Sequence, residues 1–264
     1  MLKNLHPLYR PLRDNTQLHN NVANMKTNNN KQVAAFDQVL GHCNALGTKY
    51  NPSKDSIKVA ALNTLLTSAK ATLTAVDTAK FNMMEAVNAR QEAFAPLAKI
   101  GTRILNVLIA SDASPQRIAD VKKYRDKLRS IRASRIVKPE DSTNPTPPAV
   151  PSRGPMSYLD YESRIDSFAN IIELIKVEPL YKPNEAEFSI ASLTNVVASL
   201  RQKNKAVNDA KVALRNARLA CNASVYSDAG LYGAGKRVKK YILFVFGATN
   251  KQYQMFNSIQ LKRR

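Results

Sequence analysis

Residues 50–95 read YNPSKDSIKVAALNTLLTSAKATLTAVDTAKFNMMEAVNARQEAFA, with no proline or glycine after Pro52. Alanine is frequent, and it is the best helix former. Apolar positions recur by fours and threes at Leu62, Leu66, Ala69, Leu73, Val76, Met83, Val87, Phe94 and Leu97, with Lys80 and Arg90 as imperfections. That spacing predicts one helix from Ser53 towards Phe94 with a coiled-coil-like seam, roughly 60 Å long at about 1.5 Å per residue.

The same block returns. A shift of 131 aligns Tyr50–Ala95 with Tyr181–Tyr226 without a gap, with 11 identities in 46 positions, five of them alanine. The rest include Tyr50/Tyr181, Pro52/Pro183, Leu62/Leu193, Val76/Val207 and Lys80/Lys211. With small slips, Phe36 meets Phe168, and Gly101 and Arg103 meet Gly235 and Arg237. Ser53 and Asn184 stand at equivalent places as expected N-caps, Asn184 with Glu187 as a capping-box variant.

Working outward, each copy reads as four helices. A first helix covers about 31–46, or 158–177 in the second copy, and the long helix follows. A shorter one carries Ile100, Ile104, Leu105 and Leu108 after Pro96. The last helix of the first copy opens at Ser114-Pro115, a preferred start, and buries Ile118, Val121, Tyr124, Leu128 and Ile131. Its counterpart is about 250–260. The expected fold is all-α: a tandem duplication of a roughly four-helix unit, each with one long helix of about 40 residues, in an elongated bundle.

Two irregular stretches frame these copies. Residues 1–30 are rich in asparagine and hold Pro7 and Pro11, so a polar arm is expected there. Residues 137–156 hold six prolines, and neither helix nor sheet can run through them. The expected organisation is therefore an arm at 1–30, a unit at 31–136, a linker at 137–156 and a second unit at 157–264.

Lys and Arg number 40 against 20 Asp and Glu, a net charge of +20, which favours anionic partners and says nothing of fold. Lys122, Arg125, Arg129, Arg132 and Arg135 line the basic helix at 115–134 and its continuation, and Lys236, Arg237, Lys239 and Lys240 form a second cluster. Such rows suit salt-dependent phosphate contacts, and equally the solvated face of an amphipathic helix. The helix at 115–134 also suits an anionic lipid surface. Residues 157–200 carry seven acids and three bases, an acidic surplus able to pair with basic surface inside the protein or on another copy.

Chemistry-bearing patterns are thin. His6, His19 and His42 have no metal-ligand spacing. His42 and Cys43 are sequence neighbours that point about 100° apart on a helix. Two cysteines, Cys43 and Cys221, make no disulfide framework and read as buried or half-buried thiols. Gly-Leu-Tyr-Gly-Ala-Gly at 230–235 reads as a turn, without the strand or the following residues of a phosphate loop. No enzyme, cofactor, metal or small-molecule substrate is expected. No signal peptide and no run of 18 apolar residues is read, so a cytoplasmic location without a transmembrane segment is expected. The apolar run Tyr241–Phe246 is expected in a core.

The block Tyr-Asn-Pro-Ser-Lys-Asp-Ser-Ile-Lys-Val-Ala-Ala-Leu at 50–62, its partner Tyr-Lys-Pro-Asn-Glu at 181–185 and the proline-rich linker resemble a group of uncharacterised bacterial proteins. These are duplicated and helical, and the resemblance spans about residues 30–264. It implies no activity, ligand or catalytic residue. The expected function is thus a non-enzymatic structural or protein-interaction bundle, self-associating or bound to another protein. The alternative is non-specific nucleic-acid binding through the basic helical faces.

Overall fold

A computed structural model describes residues 14–129 and 160–262, with side chains of the first helix from Asn28 onward. The described residues are mostly helical, with no strand among them. In chain order they form α1 (Asp14–Leu46), α2 (Val59–Phe94), α3 (Leu97–Ala110), α4 (Pro115–Leu128), α5 (Tyr161–Lys176), α6 (Ile190–Tyr226), α7 (Leu231–Phe246) and α8 (Lys251–Ser258). The two long helices, α2 and α6, have 36 and 37 residues. The linker at 137–156, together with Arg132 and Arg135, lies outside the described residues.

The chain forms two compact units, and they are not the two halves of the sequence. One comprises Met1–Phe81 with Val212–Arg264, the other Asn82–Lys211. Units at 31–136 and 157–264 were the expectation from the linker. The difference arises because α2 and α6 are each too long to be buried in one small core, so each contributes one end to either unit.

In the first unit, α1 buries Val33, Phe36, Val39, Leu40 and Cys43. They pack with Leu62, Leu66 and Ala69 of α2, Cys221 and Val225 of α6, Val238 and Ile242 of α7, and Phe256 of α8. Helix α1 is longer than its apolar periodicity predicts, and it takes in the polar tract 26–31. Two buried amides account for part of this. Asn29 Nδ2 donates to Cys221 Sγ at 3.3 Å, and Gln32 Oε1 accepts from the Lys262 amide at 3.1 Å. A buried polar side chain is tolerated when it is hydrogen-bonded, which holds for the Gln32 oxygen, whereas Asn29 Oδ1 is buried without a partner.

In the second unit, Phe94 of α2 and Leu97, Ile104, Leu105 and Leu108 of α3 pack with Val121 and Leu128 of α4. Ile165, Phe168, Ile171, Ile172 and Ile175 of α5 and Leu193, Val197 and Leu200 of α6 complete this core. Arg90, which interrupts the apolar seam in sequence, places its guanidinium 3.7 Å over the Tyr161 ring and donates to Asn204 Oδ1 at 2.9 Å. A cation–π contact and a hydrogen bond thus replace an apolar neighbour there. Arg164 donates to the Phe94 carbonyl at 3.0 Å, a cation at the negative end of α2.

Several local expectations change. The long helices begin later than Ser53 and Asn184, and neither of these caps them. A 3₁₀ turn stands first, at Asp55–Ile57 and at Ala186–Phe188, without a side-chain cap. Each turn ends on a carbonyl held by a tyrosine seven residues back. Tyr50 Oη donates to the Ile57 oxygen at 2.5 Å, and Tyr181 Oη to the Phe188 oxygen at 3.0 Å. Ser189 then caps α6, its Oγ accepting from the Ser192 amide at 3.2 Å. At α4 the expected cap is present, with Ser114 Oγ accepting from the Arg117 amide at 3.3 Å.

The glycine run at 230–235 is mostly helix rather than turn. Its glycines serve close approach: a Cβ on Gly233 would stand 2.0 Å from the Asp228 carbonyl oxygen, and one on Gly235 would stand 2.1 Å from Leu261 Cδ1. Among the described residues one run, Val59–Ala110, contains an 18-residue window long and apolar enough to cross a membrane by composition. Within it Ile104, Leu105 and Leu108 of α3 are core residues of the second unit, whereas Ile109 is 52% exposed.

Candidate functional site

The basic residues singled out in sequence divide between the two units. Lys122, Arg125 and Arg129 belong to α4 and its C-cap in the second unit, and Lys236, Arg237, Lys239 and Lys240 belong to α7 in the first.

On α4, Lys122 and Arg129 are exposed and Arg125 is not. The Arg125 side chain is only 11% exposed, its Nε stands 3.0 Å from Asp126 Oδ1, and its Cγ lies beside Gly101. It packs and pairs instead of presenting a free cation. Arg117, in the first turn of the helix, pairs with Glu178 at 3.5 Å, and that side chain is only 9% exposed. Lys127 lies 5.1 Å from the Tyr124 ring centroid. The apolar side of α4, with Val121 and Leu128 buried, is core, so it is not available to a lipid surface.

On α7, Lys236 and Lys240 are exposed at i and i+4, and Lys236 lies 5.4 Å from the Tyr232 ring centroid. The other two cations serve the backbone. Arg237 Nη1 donates to the Asp228 carbonyl at 2.7 Å. Lys239 Nζ donates to the Ile259 carbonyl and, at 3.4 Å, to that of Asn257, fastening the end of α8. Burial lowers the Lys239 pKa below the ordinary lysine value.

The acidic surplus at 157–200 is partly spent within the second unit. Besides Glu178 with Arg117, Glu187 pairs with Arg103 at 2.8 Å, and Glu162 accepts from Asn204 Nδ2 at 2.7 Å. Of nine cations proposed from sequence, four are exposed, namely Lys122, Arg129, Lys236 and Lys240, and three are engaged in packing, pairing or capping. Arg132 and Arg135 fall outside the described residues.

The His42–Cys43 neighbourhood is structural. The His42 ring sits 5.4 Å from the Phe256 ring. Cys43 is buried, and burial pushes its thiol up to about 12, away from the reactive thiolate. Among the described residues no group of three or more His, Cys, Asp or Glu side chains could hold a metal ion.

Two surface features escaped the sequence reading. The second half of α6 has two seams on opposite sides. Leu214, Cys221 and Val225 face the core, whereas Val212, Asn216, Leu219 and Ala223 are exposed, with Val212 58% and Leu219 57% exposed. Their 4-3-4 spacing was present in the sequence, masked by the inner seam half a turn away. The other feature is the end of α7. Of the run Tyr241–Phe246 only Ile242 is buried, and Phe244 is 85% exposed. Six consecutive apolar residues on a helix cannot all face one core, because successive residues turn by about 100°.

Comparison with protein-family models, with curated proteins and with solved structures finds no match to the chain.

Proposed function

We propose that this chain is a non-enzymatic structural or protein-interaction protein that associates with a second copy of itself. The outer seam of α6 carries the reading. Val212, Asn216, Leu219 and Ala223 repeat at coiled-coil spacing on a face that no part of their own unit covers. Burying an exposed Val or Leu side chain is worth about 1.5–3 kcal/mol. A single Asn within such a seam sets register. Arg215, exposed beside it, can lay its aliphatic stem over the margin.

The test is sedimentation velocity with light scattering on the full chain and on the Val212→Ser/Leu219→Ser double variant. A defined oligomer that dissociates in the variant supports the reading. A monomer at high protein concentration rejects it.

The duplication belongs to the same proposal. It is supported by the paired tyrosine hydrogen bonds of equal reach, the 3₁₀ turns 131 apart and the starts of α2 and α6 131 apart. Equivalent buried positions support it too: Phe36 with Phe168, Val39 with Ile171, Leu40 with Ile172. On this reading each compact unit takes the first part of one copy and the last part of the other. The likeness to duplicated helical bacterial proteins fits that architecture and adds no activity.

Nucleic-acid binding is the second reading, resting on the exposed Lys122, Arg129, Lys236 and Lys240. It ranks lower because Arg117 and Arg125 are paired and Arg237 and Lys239 are used as caps. Sub-micromolar binding to DNA or RNA that weakens steeply with salt would raise it to first place.

A further inference from the structure

We infer that the α7–α8 hairpin is a docking surface for an anionic lipid bilayer. Helix α7 presents Lys236, Lys240 and Phe244 at i, i+4 and i+8, within about 80° on one side of the helix. Phe244 is the most exposed large apolar residue among those described, and Val245 beside it is also exposed. Past the Gly247 turn, α8 repeats the pairing with Lys251 and Met255, again exposed and one turn apart. Cations and apolar side chains thus alternate outward on both arms of the hairpin.

Charge fixes the sign of the occupant. Residues 229–264 contain eight Lys and Arg and no Asp or Glu. Of these, Lys236, Lys240 and Lys251 are exposed on the hairpin, so its surface complements an anionic partner. Shape separates the candidates. Phe244 protrudes from the last turn of a helix, with most of its ring in solvent. A protruding ring gains most from a fluid apolar phase that closes around it without matched contours. Phosphate alone would leave the ring in water, whereas an anionic bilayer serves both the ring and the lysines.

The chain has no tryptophan, so Phe244→Trp places a single reporter at the tip. The experiment mixes this full-chain variant with vesicles of phosphatidylcholine alone and of phosphatidylcholine with phosphatidylglycerol at four to one. Expected is a blue shift, with quenching by brominated acyl chains, on the anionic vesicles only. In co-sedimentation of the otherwise native chain, Lys236→Gln/Lys240→Gln should weaken binding about 25-fold. Phe244→Ser should weaken it about tenfold. A tryptophan that stays water-exposed with both vesicles overturns the inference. So does a blue shift that grows with protein concentration without lipid, which would make the tip a self-association face. A shift with duplex DNA but not with vesicles overturns it as well. Loss of oligomer in Val212→Ser/Leu219→Ser with vesicle binding retained keeps this surface distinct from the α6 seam.

Discussion

Replacing Tyr50 or Tyr181 by phenylalanine removes one hydroxyl and leaves the ring in place. Each hydroxyl donates to a carbonyl that ends a 3₁₀ turn, and both rings are buried. The Tyr50 ring keeps its edge-on contact with Tyr241, at 5.4 Å between centroids, whichever residue is present. The loss is therefore the hydrogen bond plus the cost of a carbonyl left without that donor, about 1–2 kcal/mol. In a unit of about 130 residues this lowers the melting temperature by roughly 4–7 °C. Tyr50 lies in one unit and Tyr181 in the other, so the effects should be separable. Hydrogen exchange read by mass spectrometry should show Tyr50→Phe weakening protection in α1 and α7, and Tyr181→Phe in α5 and the first half of α6. A cost under about 0.3 kcal/mol for either variant would refute the argument from the turn carbonyls. Equal loosening of both units by either variant would refute the division into two cores.

Four more expectations follow from single sites. Burial pushes the Tyr181 phenol up to about 12 from an ordinary 10, so its contribution is full below pH 10 and is lost as pH rises towards 12. A pH series of thermal melts should show that decline, with part of it absent in Tyr181→Phe. Gly233→Ala should destabilise by more than about 3 kcal/mol, since the new methyl would meet a backbone carbonyl that cannot swing away. Gly101→Ala should lie within about 1 kcal/mol of the native chain, because helix propensity offsets a 3.2 Å contact with a movable leucine tip. Glu178→Gln should cost about 1–3 kcal/mol in urea unfolding, as it leaves Arg117 beside a buried neutral partner.

Much of the fold was legible because it rests on local period. The stripes at Phe36, Val39 and Leu40 and at Val121 and Leu128 are buried as their spacing predicts. Ser114-Pro115 opens its helix because cap and first turn are adjacent in sequence. Misread positions depend on distant partners. Ser53 and Asn184 lose their capping role to a turn that a tyrosine hydroxyl closes from seven residues away. Arg125 looked like its neighbours in the basic row, and only the packing of α3 against α4 places its stem beside Gly101. Phe244 was assigned to a core because composition does not reveal which side of a helix end has a partner. The membership of the two units was beyond reach, since a proline-rich linker marks a break in the chain without saying which segments meet.

That membership sets an order of events during synthesis. All core residues of the unit Asn82–Lys211 leave the ribosome as one contiguous stretch, so it can close as soon as α6 is half made. The other unit cannot. Its first 81 residues must wait for Val212 onward, an interval of about 130 residues, or roughly 7–26 s at about 5–20 residues per second. Meanwhile the apolar faces of α1 and early α2 have no α7 or α8 to cover them. The core of 82–211 therefore closes before the other, and the apolar faces of α1 and early α2 are the ones that need shielding in the interval.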